Sequence, residues 1–295
     1  MPLPDLINAN QLSKFRKFEL IAHSVVEGVM SGNHKSPYKG FAIEFQEHRE
    51  YSPGDDLKHL DWKILGKLGR YYIKQYEEDT SMRAYLLLDS SGSMSYTTAT
   101  YSKLDFGKFI CGVLTYLLML QKDSVGLITF DDDIRNRLPT GSTRQHLKRV
   151  LDTLTDCEAG RDTNMGGVLH KLATMLKRRG LIVIISDFFD DIDEITLALN
   201  HFAHKRHEII VFQVLDRQEM EFSFDDMIRF ESLENEEVFL IDSLRIKKAY
   251  KERLDAHQKQ LQKTCHQLRI DFVQVYTDEP FERRIANYLA SRLKK

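Results

Sequence analysis

The segment AYLLLDSSGSMSY, residues 84–96, decides the reading of this chain. Three leucines run into Asp89, and hydroxyl residues follow at alternate positions, Ser91 and Ser93. A continuous apolar run bounded by small polar residues is the pattern of a strand buried on both faces, with the acid at its carboxyl end. Three uses are open to such a cluster. Asp89 can be a nucleophile, the serines can close a turn on their own backbone, or the group can supply oxygen ligands to a hard metal ion.

The rhythm around this strand repeats. SKLDFGKFICGVLTYLLMLQK reads as a helix opened by a Ser102/Asp105 capping pattern, with Leu104, Gly107, Cys111, Leu114 and Leu118 at helical spacing. Then come SVGLITF (strand), TRQHLKRVLDTLTD (helix), NMGGVLHKLATMLKRR (helix) and GLIVIISD (strand). A helix near residues 193–204, the strand EIIVFQVLD and a hairpin over about 227–241 follow. A long helix over 244–268, the strand IDFVQVY and a last helix near 280–293 complete the chain. The long helix has a buried stripe of Tyr250, Leu254, His257, Leu261, Cys265 and Leu268, and its basic face is read as solvated surface. Apolar strands separated by amphipathic helices predict an α/β fold, a mostly parallel sheet covered on both faces.

Residues 1–80 differ in character, so the boundaries are set at 1–80 for an N-terminal α+β extension and 81–295 for the sheet domain. The extension reads as a helix over 12–30, a loop, the strand FAIEFQEHREY, a turn SPGDD, a short helix through LKHLDWKILGKLG and a returning strand RYYIKQYEE. In the turn, Pro53 presets φ, Gly54 takes the positive φ, and Asp55 or Asp56 caps the helix. Arg49, Asp55, Asp56, Asp61 and Trp62 are either a docking surface or plain turn chemistry with Trp62 anchored in the core; turn chemistry explains most of them unaided.

Composition narrows the class. A formal net charge of -2 over 295 residues offers no basic face for nucleic acid. Cys111, Cys157 and Cys265 are an odd number without zinc-ligand spacing, which points to a reduced compartment. The N-terminal residues have no basic segment followed by an apolar one, and the apolar run FICGVLTYLLML is too short to span a bilayer. A cytoplasmic protein is expected.

In parallel α/β sheets ligands sit beyond the carboxyl ends of the strands. Asp89 and Asp187 are each the first acid after such a strand and are expected to approach one another, with Thr163 entering just before a helix in GRDTNMGGVLH. Asp89, Ser91, Ser93, Thr163 and Asp187 offer two carboxylates and three hydroxyls. These hard oxygen donors suit Mg²⁺, with Mn²⁺ or Ca²⁺ as alternatives, and the lack of Cys or His argues against zinc. Neutral hydroxyl ligands leave an ion with residual positive charge, so a carboxylate from a partner can complete its shell.

DSSGS resembles the D-x-S-x-S signature of von Willebrand factor A domains, TNMGGVL the segment that supplies their threonine, and IISD the strand end that supplies their second aspartate. The resemblance implies a von Willebrand factor A-like fold with a metal-ion-dependent adhesion site. There Ser91 and Ser93 would bind the ion directly, Asp89 and Asp187 directly or through water, and Thr163 in one state of the domain. A narrower match runs from about residue 39 to the C-terminus through KGFAIEFQEHREYSPGDDLKHLDWK, YYIKQYEED, LLLDSSGSM, VGLITF, SDFFD and DFVQVYTDEPFERRIANYLASR. These resemble the bacterial family called domain of unknown function fifty-eight. Gly66-Lys67 departs from the Ala-Arg expected of relatives, although Lys67 keeps the charge. Proteins similar to this one commonly accompany MoxR-type AAA+ ATPases, so the resemblance implies such an ATPase, or its client, as partner.

Two other clusters have bland readings. FDDD, residues 130–133, is read as a solvated loop after a strand rather than an extension of the metal region. His201, His204 and His207 are read as a solvated helix end, since only the first two share a helical face.

The chain is therefore expected to be a non-enzymatic interaction module that grips an acidic residue of its partner. No G-x-x-x-x-G-K-[ST] loop is present, so ATP hydrolysis would belong to the partner. The alternative is a Mg²⁺-dependent phosphotransferase or hydrolase with Asp89 as nucleophile. Aspartate phosphatases of the haloacid dehalogenase type need D-x-D, and Ser91 stands where the second acid would be. DSSGSMS also lacks the G-x-S-x-G of serine hydrolases.

Overall fold

The computed structural model of the chain describes residues 42–52, 60, 62–79, 82–98, 101–160, 164–222, 227–231 and 238–279. The helix expected over 12–30, the turn residues Pro53 to Asp56, Asp61, Thr163 and the helix expected over 280–293 lie outside the described residues. Two compact units divide the chain, Lys35–Met82 and the remainder.

The smaller unit is a hairpin of β1 (Ala42–Glu50) and β2 (Tyr72–Asp79), with helix α1 (Trp62–Leu68) between them in sequence. The strands pair antiparallel from Ala42↔Asp79 to Glu50↔Tyr72, and a register shift between Phe45 and Glu47 marks a bulge. Past the strand ends the Tyr51 N–H donates to the Tyr71 carbonyl at 2.9 Å. Trp62 corrects one expectation: it is 68% exposed rather than anchored in a core, while Leu60 is the buried residue beside it.

In the larger unit β3 (Arg83–Asp89) leads through a 3₁₀ turn, Gly92–Ser95, to α2 (Lys103–Leu120), β4 (Ser124–Phe130) and β5 (Ile134–Gly141). Helices α3 (Arg144–Asp156) and α4 (Met165–Met175) precede β6 (Leu181–Ser186), α5 (Ile192–His204) and β7 (Glu208–Leu215). A short α6 (Arg217–Glu221), the hairpin β8 (Met227–Glu231) and β9 (Val238–Asp242), α7 (Ser243–Gln267) and β10 (Asp271–Tyr276) follow. Ser102 and Asp105 form the expected capping box on α2.

The sheet has the order β10-β7-β6-β3-β4-β5, and every pair is parallel except β4 with β5. All six residues of β6, LIVIIS, are buried because helices cover both faces. Alternate residues sort by face. Leu87, Ile128, Ile182 and Ile184 join one core with Leu169 and Leu172 of α4, Phe202 of α5 and Leu261 of α7. On the other face α2 lies so close that a Cβ at Gly107 would meet Leu88 Cδ1 at 2.7 Å and Ile185 Cγ2 at 3.3 Å. Burying each Leu or Ile contributes about 1.5–3 kcal/mol.

Strand β5 was not anticipated, since IRNRLPTG lacks an apolar alternation. It survives as an antiparallel edge strand, the position that tolerates polar residues and Pro139. FDDD is only partly a solvated loop: Asp132 and Asp133 are exposed, but Asp131 is buried and accepts from Arg135 Nε. HFAHKRHE is likewise more than a solvated helix end. Lys205 Nζ donates to the Ala173 carbonyl at 2.6 Å, and His207 Nε2 donates to the Leu176 carbonyl at 3.1 Å. These groups satisfy the last carbonyls of α4, which stops at Met175 instead of running on to Arg179.

Gly107→Val should force α2 off the sheet, since the added methyls have no room against Leu88 and Ile185. Urea unfolding is expected to show a loss of about 1–3 kcal/mol; an unchanged midpoint would contradict the packing described.

Candidate metal centre

Asp89 is placed by strand pairing. In the β3–β6 register Leu88 faces Ile185, so the next residues, Asp89 and Ser186, fall side by side. Ser186 Oγ donates to Asp89 Oδ2 at 2.6 Å, and the Ser91 N–H donates to Asp89 Oδ1 at 2.8 Å. The second bond turns the chain back over the strand end into the 3₁₀ turn. Ser91 Oγ and Ser93 Oγ come to 3.2 Å of each other. That separation is close to the edge of an octahedron with metal–oxygen bonds of about 2.1 Å. The pair is therefore suited to hold one small, hard cation.

The turn is fixed from several sides. Ser90 donates through N–H and Oγ to the Phe130 carbonyl, at 2.7 and 2.9 Å. Its own carbonyl accepts from the Gly160 N–H at 2.6 Å. Further along, Thr98 Oγ1 donates to Asp216 Oδ1 at 2.7 Å, beyond the end of β7. Loops after β3, β4 and β7 and the segment after α3 thus meet at one rim, as expected for the carboxyl end of such a sheet.

Asp187 follows β6 directly. Phe188 then adopts a left-handed φ of 61°, an unusual conformation for a bulky residue. Its N–H donates to Ser186 Oγ at 2.8 Å, and its carbonyl accepts from His257 Nε2 at 2.8 Å. The Asp187 carboxylate accepts the Phe189 N–H on Oδ1 at 3.1 Å, while Lys103 Nζ donates to Oδ2 at 2.8 Å. Nearby, Asn164 caps α4 and the Met165 N–H donates to Asp190 Oδ2 at 2.7 Å, so the start of α4 abuts the loop after β6. Of the expected set, Asp89, Ser91, Ser93 and Asp187 sit at this rim, and Thr163 lies outside the described residues.

Three residues of the cluster went unforeseen: Ser186, Lys103 and Glu219. Lys103 is fully buried, and its ammonium also donates to Glu219 Oε1 and Oε2 at 3.0 and 2.9 Å. It lies 5.6 Å from the Tyr96 ring centroid and 5.1 Å from that of Phe189. Helix energetics do not explain it, because a cation in the first turn opposes the macrodipole. Burying an ammonium costs several kcal/mol, which close carboxylates must offset. Burial alone would lower the Lys103 pKa, but Asp187 and Glu219 carry it above its ordinary value. Burial raises Glu219, against the pull of Lys103. Burial, then Glu219, pushes Tyr96 up to about 12.

Among the described residues it is hydrogen bonds from Ser186 and Ser91, rather than an ammonium, that face Asp89. Burial first, and the Asp187 carboxylate second, raise it from 3.8 to about 7, against the lowering bonds from Ser186 and Ser91. A divalent ion at Ser91 and Ser93 would supply the positive charge that Asp89 lacks. Among the described residues no three His, Cys, Asp or Glu side chains converge as a metal site.

A carboxyl raised on folding contributes stability that is full below pH 3.8 and lost as the pH rises through about 7. With chelator present, the thermal midpoint should fall between pH 5 and pH 8 by more in the native chain than in Asp89→Asn. Equal slopes for the two proteins would contradict this account of Asp89.

Comparison with known proteins finds both sequence relatives and structural neighbours. Uncharacterized proteins of Mycobacterium bovis and Mycobacterium tuberculosis are each 26% identical over 293 residues, covering 98% of this chain and 92% of the relative. Among solved structures, the conserved hypothetical protein BatB of Bacteroides thetaiotaomicron matches with a TM-score of 0.50 at 17% identity, over 73% of this chain and all of that one. The VWA domain of SpRpn10 aligns at 9% identity over 70% of this chain and 94% of its own, with a TM-score of 0.40. The fold is α/β, with a mostly parallel six-stranded sheet. No described helix is long and apolar enough to cross a membrane. The model of the family described as "Protein of unknown function DUF58" matches residues 47–260, and the chain belongs to that family.

Proposed function

We propose that this protein is a non-enzymatic interaction module that binds an acidic side chain of a protein partner through a divalent ion held by Ser91, Ser93 and Asp89. The 3.2 Å approach of the two serine hydroxyls beside a buried carboxylate carries the reading. Mg²⁺ is the proposed ion, since all the ligands are hard oxygens and two are uncharged. By the family resemblance, Asp187 would bind the ion directly or through water, and Thr163 in one state of the domain. An ion with few anionic ligands keeps positive charge, and the carboxylate it favours comes from outside. A von Willebrand factor A-like fold supports a protein-binding role, and the family resemblance supports a MoxR-type AAA+ ATPase, or its client, as the partner. The three buried, free cysteines support a cytoplasmic setting.

Catalysis by Asp89 is less well supported. A nucleophilic carboxylate must be reached by its substrate, whereas Asp89 is only 2% exposed. Ser91 cannot replace the second acid of a phosphatase, because its hydroxyl is not an acid–base group near neutral pH.

Immobilised wild-type chain should retain a MoxR-type AAA+ ATPase from its own organism in Mg²⁺ and release it in EDTA. Asp89→Ala and Ser91→Ala should fold yet retain none. Retention that ignores both EDTA and the substitutions would overturn the proposal, and Mg²⁺-dependent phosphatase turnover lost in Asp89→Asn would favour the enzyme instead.

A further inference from the structure

The Lys103 cluster is the part of the rim that the proposed ion site does not use. Its ammonium has three N–H donors. The three short contacts are to Asp187 Oδ2 and to both Glu219 oxygens. Asp187 therefore already has a positive charge against it, and that charge cannot drift into solvent because the side chain is fully buried. Tyr96 and Phe189 flank the ammonium and hold it in place. Glu219 faces Asp187 across Lys103 and shares the same cation.

We propose that Lys103 is a resident counter-cation of the ion site, competing with a divalent ion for Asp187, and that Glu219 sets the competition by drawing Lys103 away from it. This rests on the reading of Ser91, Ser93 and Asp89 as ion ligands. With Lys103 shared between Asp187 and Glu219, the ion meets less anionic charge than two bare aspartates would offer. Affinity is then modest, and the ion stays electrophilic toward an outside carboxylate. Glu219 belongs to α6, which Asp216 caps by accepting the Gln218 N–H at 2.9 Å, and Asp216 also accepts from Thr98 of the loop after β3. Ion affinity is thereby tied to the seating of α6 at the sheet rim.

Opposite signs in two variants test this. Mn²⁺ is titrated into the full-length chain, and free Mn²⁺ is read by electron paramagnetic resonance at fixed pH and ionic strength. Circular dichroism checks the fold of each variant. Lys103→Met removes a like charge near the ion and should tighten binding by at least about tenfold. Glu219→Gln leaves Lys103 wholly to Asp187 and should weaken it several-fold. Damage to the fold would weaken both, so that pattern overturns the proposal, as would two unchanged affinities. Binding in wild type that is lost in Asp89→Ala keeps the ion-site reading even if Lys103 proves irrelevant. Binding in Lys103→Met alone supports the proposal in its strongest form. No binding in any chain overturns both. Should Lys103→Met fail to fold, Glu219→Gln decides: unchanged or tighter binding refutes the competition.

Discussion

The parallel pairing of β3 with β6 brings Asp89 and Asp187 to one dry rim. Leu88 opposite Ile185 leaves Asp89 beside Ser186, with Asp187 one residue further on. Two carboxylates cannot both stay ionised in a buried place without compensation. Asp187 has it from Lys103. Asp89 has hydrogen bonds from Ser186 and Ser91 instead, and burial beside Asp187 raises its pKa to about 7. The remainder of the rim serves this imbalance: the 3₁₀ turn brings two hydroxyls to Asp89, and the left-handed Phe188 turns the chain sharply after Asp187.

Much of this was legible in the order of residues. Runs such as LIVIIS and EIIVFQVL have no polar face, and a strand covered on both sides is what they can form. Asp89 and Asp187 were locatable because each ends such a run. The missed residues share a cause. Lys103 meets Asp187 and Glu219 across 84 and 116 positions, and Ser186 meets Asp89 across 97. Local pattern carries no trace of such pairings. SKLD read as a helix start, which it is, but the cap explains Ser102 and Asp105 and leaves Lys103 without a purpose. That a helix opens with a basic residue was the one local signal available.

Elsewhere tertiary context overrode sound local rules. Polar IRNRLPTG became an edge strand because β4 offered it a ladder. Lys205 and His207, polar residues at a helix end, were drawn onto the carbonyls of α4. Asp131, one of three consecutive acids, is buried against Arg135 while its neighbours remain in water. Trp62 went the other way, an indole left outside where a core anchor was expected. For the edge strand, the α4 carbonyls and Asp131, hydrogen-bond satisfaction or register, rather than hydropathy, decides the outcome.

The central claim is that Ser91, Ser93 and Asp89 grip a divalent ion. The most direct measurement is a crystal of the full-length chain grown with Mn²⁺, with anomalous differences collected above the manganese edge. The account predicts a peak about 2.1–2.2 Å from both serine hydroxyls, with Lys103 still in contact with Glu219. A manganese peak elsewhere on the chain with none between the two serines, or a well-ordered rim with no peak at saturating Mn²⁺, would contradict it.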